Sequence, residues 1–447
     1  SAISLAALIT SQPLMAQAAP TSADASTASH FGRTVGSNST LPEKEVFGVR
    51  PSTAATVGGA AGLAPITYHG GVSPVGGGTK VGVTSAANGK PKVYLVFWGS
   101  NWGTAGTTTM GGATRDTFSN DTAGMAPYLE SFIAGLGTTG DNWTGVLSEY
   151  CNGVASGASA CPTDATTARA GYPLGGLLAG VWIDQSVAIS TSTSSSSYPT
   201  QTQLGTEAAV AATYFGNNTQ ASNLNTQYVI VTPPGTHPDG FNTTGGNFCA
   251  WHTYASNSTT GNVAFTNLPY IPDMKTSCGQ NFVNAGTAGT LDGVSIVEGH
   301  EFAETITDQW PSGGYYDSSG YENGDKCSWT AVSDPRNGGN ITTTTGTFAM
   351  QGTWSNLNAW CSMGSVLNGA SGLTSLVGGT ITARLANGGV FPYSVTATTA
   401  LPNSLVVGTD GRITGTAPSA VGSYPYSYTI TDAAGNTITA TGNLVVS

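Results

Sequence analysis

Apolar runs and three-to-four-residue periodicities alternate through the first two thirds of the chain. Lys92-Val93-Tyr94-Leu95-Val96-Phe97-Trp98 is a continuous β-branched and aromatic run, the pattern of a strand covered on both faces. Gly180-Val181-Trp182-Ile183 and Tyr228-Val229-Ile230-Val231-Thr232 repeat that signal. Between them, residues 123–136 place Met125, Tyr128, Leu129, Phe132 and Ile133 at helical spacing, and the Ala-rich stretch 204–215 also reads as helix. Val294, Val297, Phe302, Ala303 and Ile306 then space out a third helix. Strand, helix, strand, helix, strand, helix predicts an α/β layer with a largely parallel or mixed sheet.

The flanks read differently. Residues 19–65 are rich in Ser, Thr, Ala and Gly without periodicity, which predicts a linker or pro-segment before a domain spanning 66–365. From 372 to 447 the chain has no Cys or His, and alternating runs at 380–385, 393–398, 424–431 and 437–446 are separated by Gly388-Gly389, Asp410-Gly411 and Gly435-Asn436. Short strands with such turns predict a small all-β sandwich. Within it Tyr424, Tyr426 and Tyr428 alternate, as sheet packing or as a row on which carbohydrate stacks.

Charge then singles out one stretch. Only 8% of residues are charged, yet seven of the 24 acids lie between Glu298 and Asp325, beside His300, one of five histidines. On a helix, His300 and Glu304 share a face one turn apart. Two ligands at that spacing, with a carboxylate directly after the first, form the arrangement by which a helix binds zinc and carries its own base. Glu301 is then the base. Asp308 lies two turns beyond His300, too far to share one ion with it, and reads as an orienting or capping carboxylate. The third ligand must come from the loop that follows, where Asp317, Glu322 and Asp325 are the candidates; Glu322 is favoured, with Asp325 in support. His237 and His252 could each supply an imidazole from elsewhere, His252 in preference because Cys249 would fix its segment. Calcium is the rival ion, suited to the carboxylates but not to His300. The bland alternative is an amphipathic helix whose acids face solvent.

Six cysteines in a chain opening on an apolar run that ends in Ala16-Gln17-Ala18 fit an exported protein, residues 1–18 being the remnant of a signal peptide. The pairing that closes the shortest loops is sequential: Cys151 with Cys161, Cys249 with Cys278 and Cys327 with Cys361. A net charge of −11 without a Lys/Arg cluster argues against nucleic acid and anionic membranes as partners.

HEFAE followed by the Glu322 of ENGD resembles the gluzincin branch of the zincin metallopeptidases, which carry HExxH and a downstream glutamate. That resemblance implies zinc ligation by His300 and Glu322, general-base work by Glu301 and a buttressing Asp325, with Glu304 replacing the second histidine. It also implies a zincin-like α/β (α+β) domain, with 204–215 as its backing helix. YHGGVSPVGG, PKVYLVFWGSNW, CAWH and LDGVSIV are similar to plant exordium-like extracellular proteins, which implies a shared scaffold that need not catalyse. LPNSLVVGTDGRITGTAPSAVGSYPYSYTITDAAGNT resembles the Ig-like, cadherin-like modules of bacterial exported proteins, and implies a spacer or adhesive role.

The expectation is a secreted metal-dependent endopeptidase acting on protein or peptide substrates, with a C-terminal module that touches cell-wall polysaccharide. The alternative is a non-catalytic wall-associated or adhesion protein whose acids are structural or bind calcium.

Overall fold

A computed structural model describes residues 32–34, 41–59, 62–75, 78–364, 367–402 and 404–447. The expected leader remnant, 1–18, lies outside the described residues. The main elements are β1 (Gly32–Thr34), β2 (Lys44–Gly48), β3 (Lys92–Trp98), α1 (Met125–Gly135), β4 (Leu178–Asp184), α2 (Gln201–Tyr214), β5 (Thr226–Val231), β6 (Phe248–Asn257), β7 (Gly261–Leu268) and α3 (Asp292–Thr307). A hairpin, β8 (Gly338–Thr343) and β9 (Gly346–Gln351), follows.

The seven strands form one mixed sheet in the order β1-β2-β6-β7-β5-β3-β4. Pairs β7/β5, β5/β3 and β3/β4 are parallel, while β1/β2, β2/β6 and β6/β7 are antiparallel. Strand alternation divides the run at β3 between two cores. Val93, Leu95 and Phe97 enter the core shared with α1 and α3, whereas Tyr94, Val96 and Trp98 enter that of α2. Both faces are covered, which is why this strand is apolar throughout rather than alternating.

The helix expected at 204–215 is α2, started by a capping box between Thr200 and Gln203. It does not back α3. It packs on the opposite face of the sheet, because Leu204, Ala208 and Ala212 match the side of β5 and β7 that carries Tyr228, Ile230 and Phe265. The helix beside α3 is α1, whose first backbone amides donate to the Asp121 carboxylate at 2.8–3.0 Å.

A second correction concerns 19–65. Its described part is not a featureless linker: Lys44–Gly48 is a sheet strand with Glu45, Val46, Phe47 and Gly48 buried. The three disulfides pair sequentially as expected, Cys151–Cys161, Cys249–Cys278 and Cys327–Cys361. No helix among the described residues is long and apolar enough to cross a membrane.

After residue 372 the chain builds a separate core around a four-stranded sheet of β10 (Leu373–Ser375), β11 (Ser394–Thr399), β12 (Gly422–Thr431) and β13 (Thr437–Val446), in the order β10-β13-β12-β11. Tyr426 and Tyr428 are 2% and 7% exposed and belong to that core, so the tyrosines of β12 do not make a stacking row for polysaccharide. This unit rests on the first: the Phe391 amide donates to Ser148 Oγ (2.9 Å) and Arg169 lies over the Phe391 ring.

Candidate metal centre

All sixteen residues of α3 are buried, so its acids do not face solvent. A helix covered on every side loses the one-stripe pattern of a surface helix. Here β9 covers one flank: Ser295 Oγ donates to Ala349 O (2.6 Å), and a Cβ on Gly299 would sit 2.2 Å from Met350 Cε. On the flank facing β6 stand Glu301 and Glu304, 0% and 1% exposed.

The second imidazole comes from the sheet. His252 is on β6, fully buried, with Nδ1 3.2 Å from Glu301 Oε2 and 3.6 Å from Glu304 Oε2. His300 Nε2 lies 3.0 Å from Glu304 Oε1 and 3.7 Å from Asp325 Oδ1. Glu304 thus offers one oxygen to each imidazole. Two groups of potential ligand atoms result, His252/Glu301/Glu304 and His300/Glu304/Asp325, the atoms of each lying within 4.8 Å of one another.

The loop carrying Glu322 and Asp325 is tied to the helix by the Asp325 backbone and the Asn323 side-chain amide. Asp325 N–H donates to Glu304 Oε1 (3.0 Å), Glu322 N–H to Asp325 Oδ2 (3.3 Å), and the Asn323 amide to Ala303 O (2.9 Å) and Thr307 Oγ1 (2.8 Å). Gly324 is needed for this approach: a Cβ there would lie 2.8 Å from His300 Nδ1 and 2.9 Å from Glu304 Oε1. The turn brings Asp325, rather than Glu322, into the group of His300 and Glu304. Glu322 stands instead beside His252, its Oε2 3.8 Å from Nε2.

The other candidates do not converge here. Asp308 caps the C-terminus of α3, its N–H on Glu304 O (2.7 Å). Asp317 accepts from the Ser319 and Tyr321 amides and from Lys326 Nζ (3.0 Å), which organises the loop. His237 Nδ1 pairs with Phe241 O (2.9 Å) in a turn of its own.

The electrostatics favour a cation. Glu298, Glu301, Glu304, Glu322 and Asp325 are at most 4% exposed, and the nearby Lys326 ammonium is engaged by Asp317. Uncompensated buried carboxylates cost several kcal/mol each. Without a bound ion three of them would hold protons: burial pushes Glu298 and Glu301 well above the usual carboxylate range, with Glu304, Glu298, Asp325 and Glu45 adding to the rise at Glu301, and burial first, then Glu304, does the same to Asp325. Burial lowers His300 to about 4, which keeps its imidazole neutral, the form that ligates. Ligand atoms about 2.0–2.2 Å from one ion lie roughly 3–3.5 Å apart, close to the separations here. Each group pairs one imidazole with two carboxylates, and the imidazole suits zinc or a related transition metal better than calcium.

Sequence reasoning missed Glu45 and Phe47. Glu45 is buried opposite His252 across the β2/β6 pair, and Phe47 stacks on His300 with ring centroids 3.8 Å apart. Their short strand has no apolar periodicity of its own to reveal it.

Residues 365–447 match the family model described as Putative Ig domain. The C-terminal unit is an Ig-like module. No curated protein matches the chain. The Ig-like module and three disulfides are compatible with an extracellular protein. The Ig-like module contributes no residue to the two ligand groups.

Proposed function

We propose that the chain is a secreted metal-dependent endopeptidase whose centre is built from His252, His300 and Glu304, with Asp325 and Glu322 at its edge. The observation carrying this reading is that β6 delivers an imidazole to the place where the HEFAE helix has none. A bound zinc ion would supply Lewis acidity and a water of lowered pKa. Glu301 is the residue for proton transfer: Oε2 is oriented by His252 at 3.2 Å, while Oε1 makes no hydrogen bond. It would take the proton of the attacking water and return it to the leaving amine. The Asp325 N–H holds the Glu304 carboxylate in place at 3.0 Å.

The test pairs elemental analysis with hydrolysis of casein or a quenched fluorescent peptide by wild type and Glu301→Gln. Metal retained in both proteins, with hydrolysis reduced about 10²–10⁴-fold in the variant, supports the proposal. A second reading, a non-catalytic extracellular protein with a structural ion, is favoured by the complete burial of both histidines. Metal without hydrolysis under every condition, including after the opening described next, would favour it.

A further inference from the structure

One segment packed against this centre belongs neither to the helix nor to its loop. Strand β2 runs antiparallel along β6, with Glu45 opposite His252 and Phe47 opposite Ala250. Alternation turns Val46 toward Trp251 on the α2 side, and Glu45 and Phe47 toward α3. The Phe47 ring lies between two others, 3.8 Å from His300 at 14° and 4.8 Å from Trp329 at 11°. Trp329 is held in the left-handed region, φ 51°, an uncommon conformation for so large a residue, and its Nε1 donates to Gly48 O (2.9 Å). An extended peptide presented to these histidines would need this same edge of β6, since strand addition to a sheet edge supplies main-chain hydrogen bonds and side-chain pockets together. Beyond β2 the described sheet continues only as the three residues of β1.

We propose that Lys44–Gly48 is an inhibitory strand holding the place of an extended peptide on β6, and that the metal centre becomes accessible when this strand leaves. The proposal rests on reading the site as a peptidase centre.

The anchoring of the strand is suited to release. At one end Lys44 pairs with Asp239 and lies over Trp251, and Glu43 accepts from Ser312 Oγ (3.1 Å). At the other end Arg50 N–H donates to Ser277 O (2.7 Å). Ser52, Thr53 and Ala54 are then exposed before the chain rejoins the body at the Ala55–Thr330 bridge. Hydrolysis of one bond in this exposed stretch adds a water, leaves a carboxylate upstream and an ammonium downstream, and frees β2 from its covalent tether. Exposed loop tips are the preferred sites of such cuts.

The test replaces Ser52–Ala54 in the full chain with the recognition sequence of a site-specific protease. Carbethoxylation of His252 and His300 by diethyl pyrocarbonate, with a chelator present, is read by peptide mass spectrometry before cutting and after the upstream fragment is removed. Both histidines should be protected before, and at least about 10-fold more reactive after, since protection of buried groups reports local opening. A synthetic peptide of residues 41–50 should restore protection. If the fragment stays bound, the same chain carrying Phe47→Gly, which lacks the ring stack, should show the increase. Histidines equally reactive in the uncut chain, or still protected once the fragment has gone, would overturn the proposal. Opened histidines without peptide hydrolysis would instead refute the peptidase reading, and with it the inhibitory role, leaving β2 only as the cover of the two histidines. Equal hydrolysis by cut and uncut chains would refute the inhibitory role and leave the peptidase reading standing.

Discussion

The imidazole of His252 on β6 stands 3.2 Å from the carboxylate of Glu301 on α3, although 49 residues separate them in sequence. Sheet and helix meet at this contact, and it sets a second imidazole against the carboxylates of the HEFAE segment. The remaining geometry is arranged to preserve it: Glu304 reaches both imidazoles, and the turn at Gly324 lies against His300.

Gly324→Ala tests the close approach of that turn. The added methyl would meet His300 Nδ1 at 2.8 Å and Glu304 Oε1 at 2.9 Å, and neither can retreat inside a packed helix face. Overpacking of this kind costs about 1–3 kcal/mol. Urea unfolding should show that loss, together with reduced metal content. Gly175→Ala is a control for altering a glycine at a site whose Cβ would meet nothing within 4 Å, though φ 85° there adds its own strain.

The Cys327–Cys361 bridge joins the loop that carries Glu322 and Asp325 to later chain across 34 residues. Loop-closure entropy for that length gives about 3–4 kcal/mol. The Cys327→Ser/Cys361→Ser double variant should lose roughly that in denaturant stability and release metal to a chelator faster than wild type. Equal release rates would show that the turn is held by its hydrogen bonds to α3 alone.

The contribution of one buried acid to stability should rise as pH falls from 8 toward 5. Glu207 on α2, away from the metal centre, is raised to about 8 by burial and then by Asp184. A folded-state value above the unfolded one of about 4.3 means that its contribution is fully present below pH 4.3 and is lost as pH rises through about 8. The urea midpoint of Glu207→Gln relative to wild type should therefore rise between pH 5 and pH 8. Parallel slopes for the two proteins would contradict this assignment.

Much of this architecture was legible from pattern. The runs at β3 and β5 are apolar because both faces are buried, and the sequential disulfides follow from short loops. The alternating stretches after 372 became the strands of the Ig-like module, although 380–385 did not form the strand expected there. The misses share one cause, that the deciding contacts are distant in sequence. Lys44–Gly48 becomes a strand only by pairing with β6, and 204–215 lies on the far face of the sheet because of which strand faces receive it. The β8/β9 hairpin, rich in Thr and Gly and without a long apolar run, is fixed by Met350 and Ala349 against α3. At the centre itself, His300, Glu301 and Glu304 stood out by spacing and local acidity. Asp325 displaced Glu322 through a backbone hydrogen bond, which spacing alone does not encode.

The most direct measurement is the metal content of purified wild type beside His252→Ala/His300→Ala, by inductively coupled plasma mass spectrometry after gel filtration, with far-ultraviolet circular dichroism to show that both are folded. The account predicts about one equivalent of zinc or a related transition metal per chain in wild type and almost none in the double variant, as expected for a transition-metal site deprived of both imidazoles. A folded wild type without metal, or a double variant that retains it, would contradict the account.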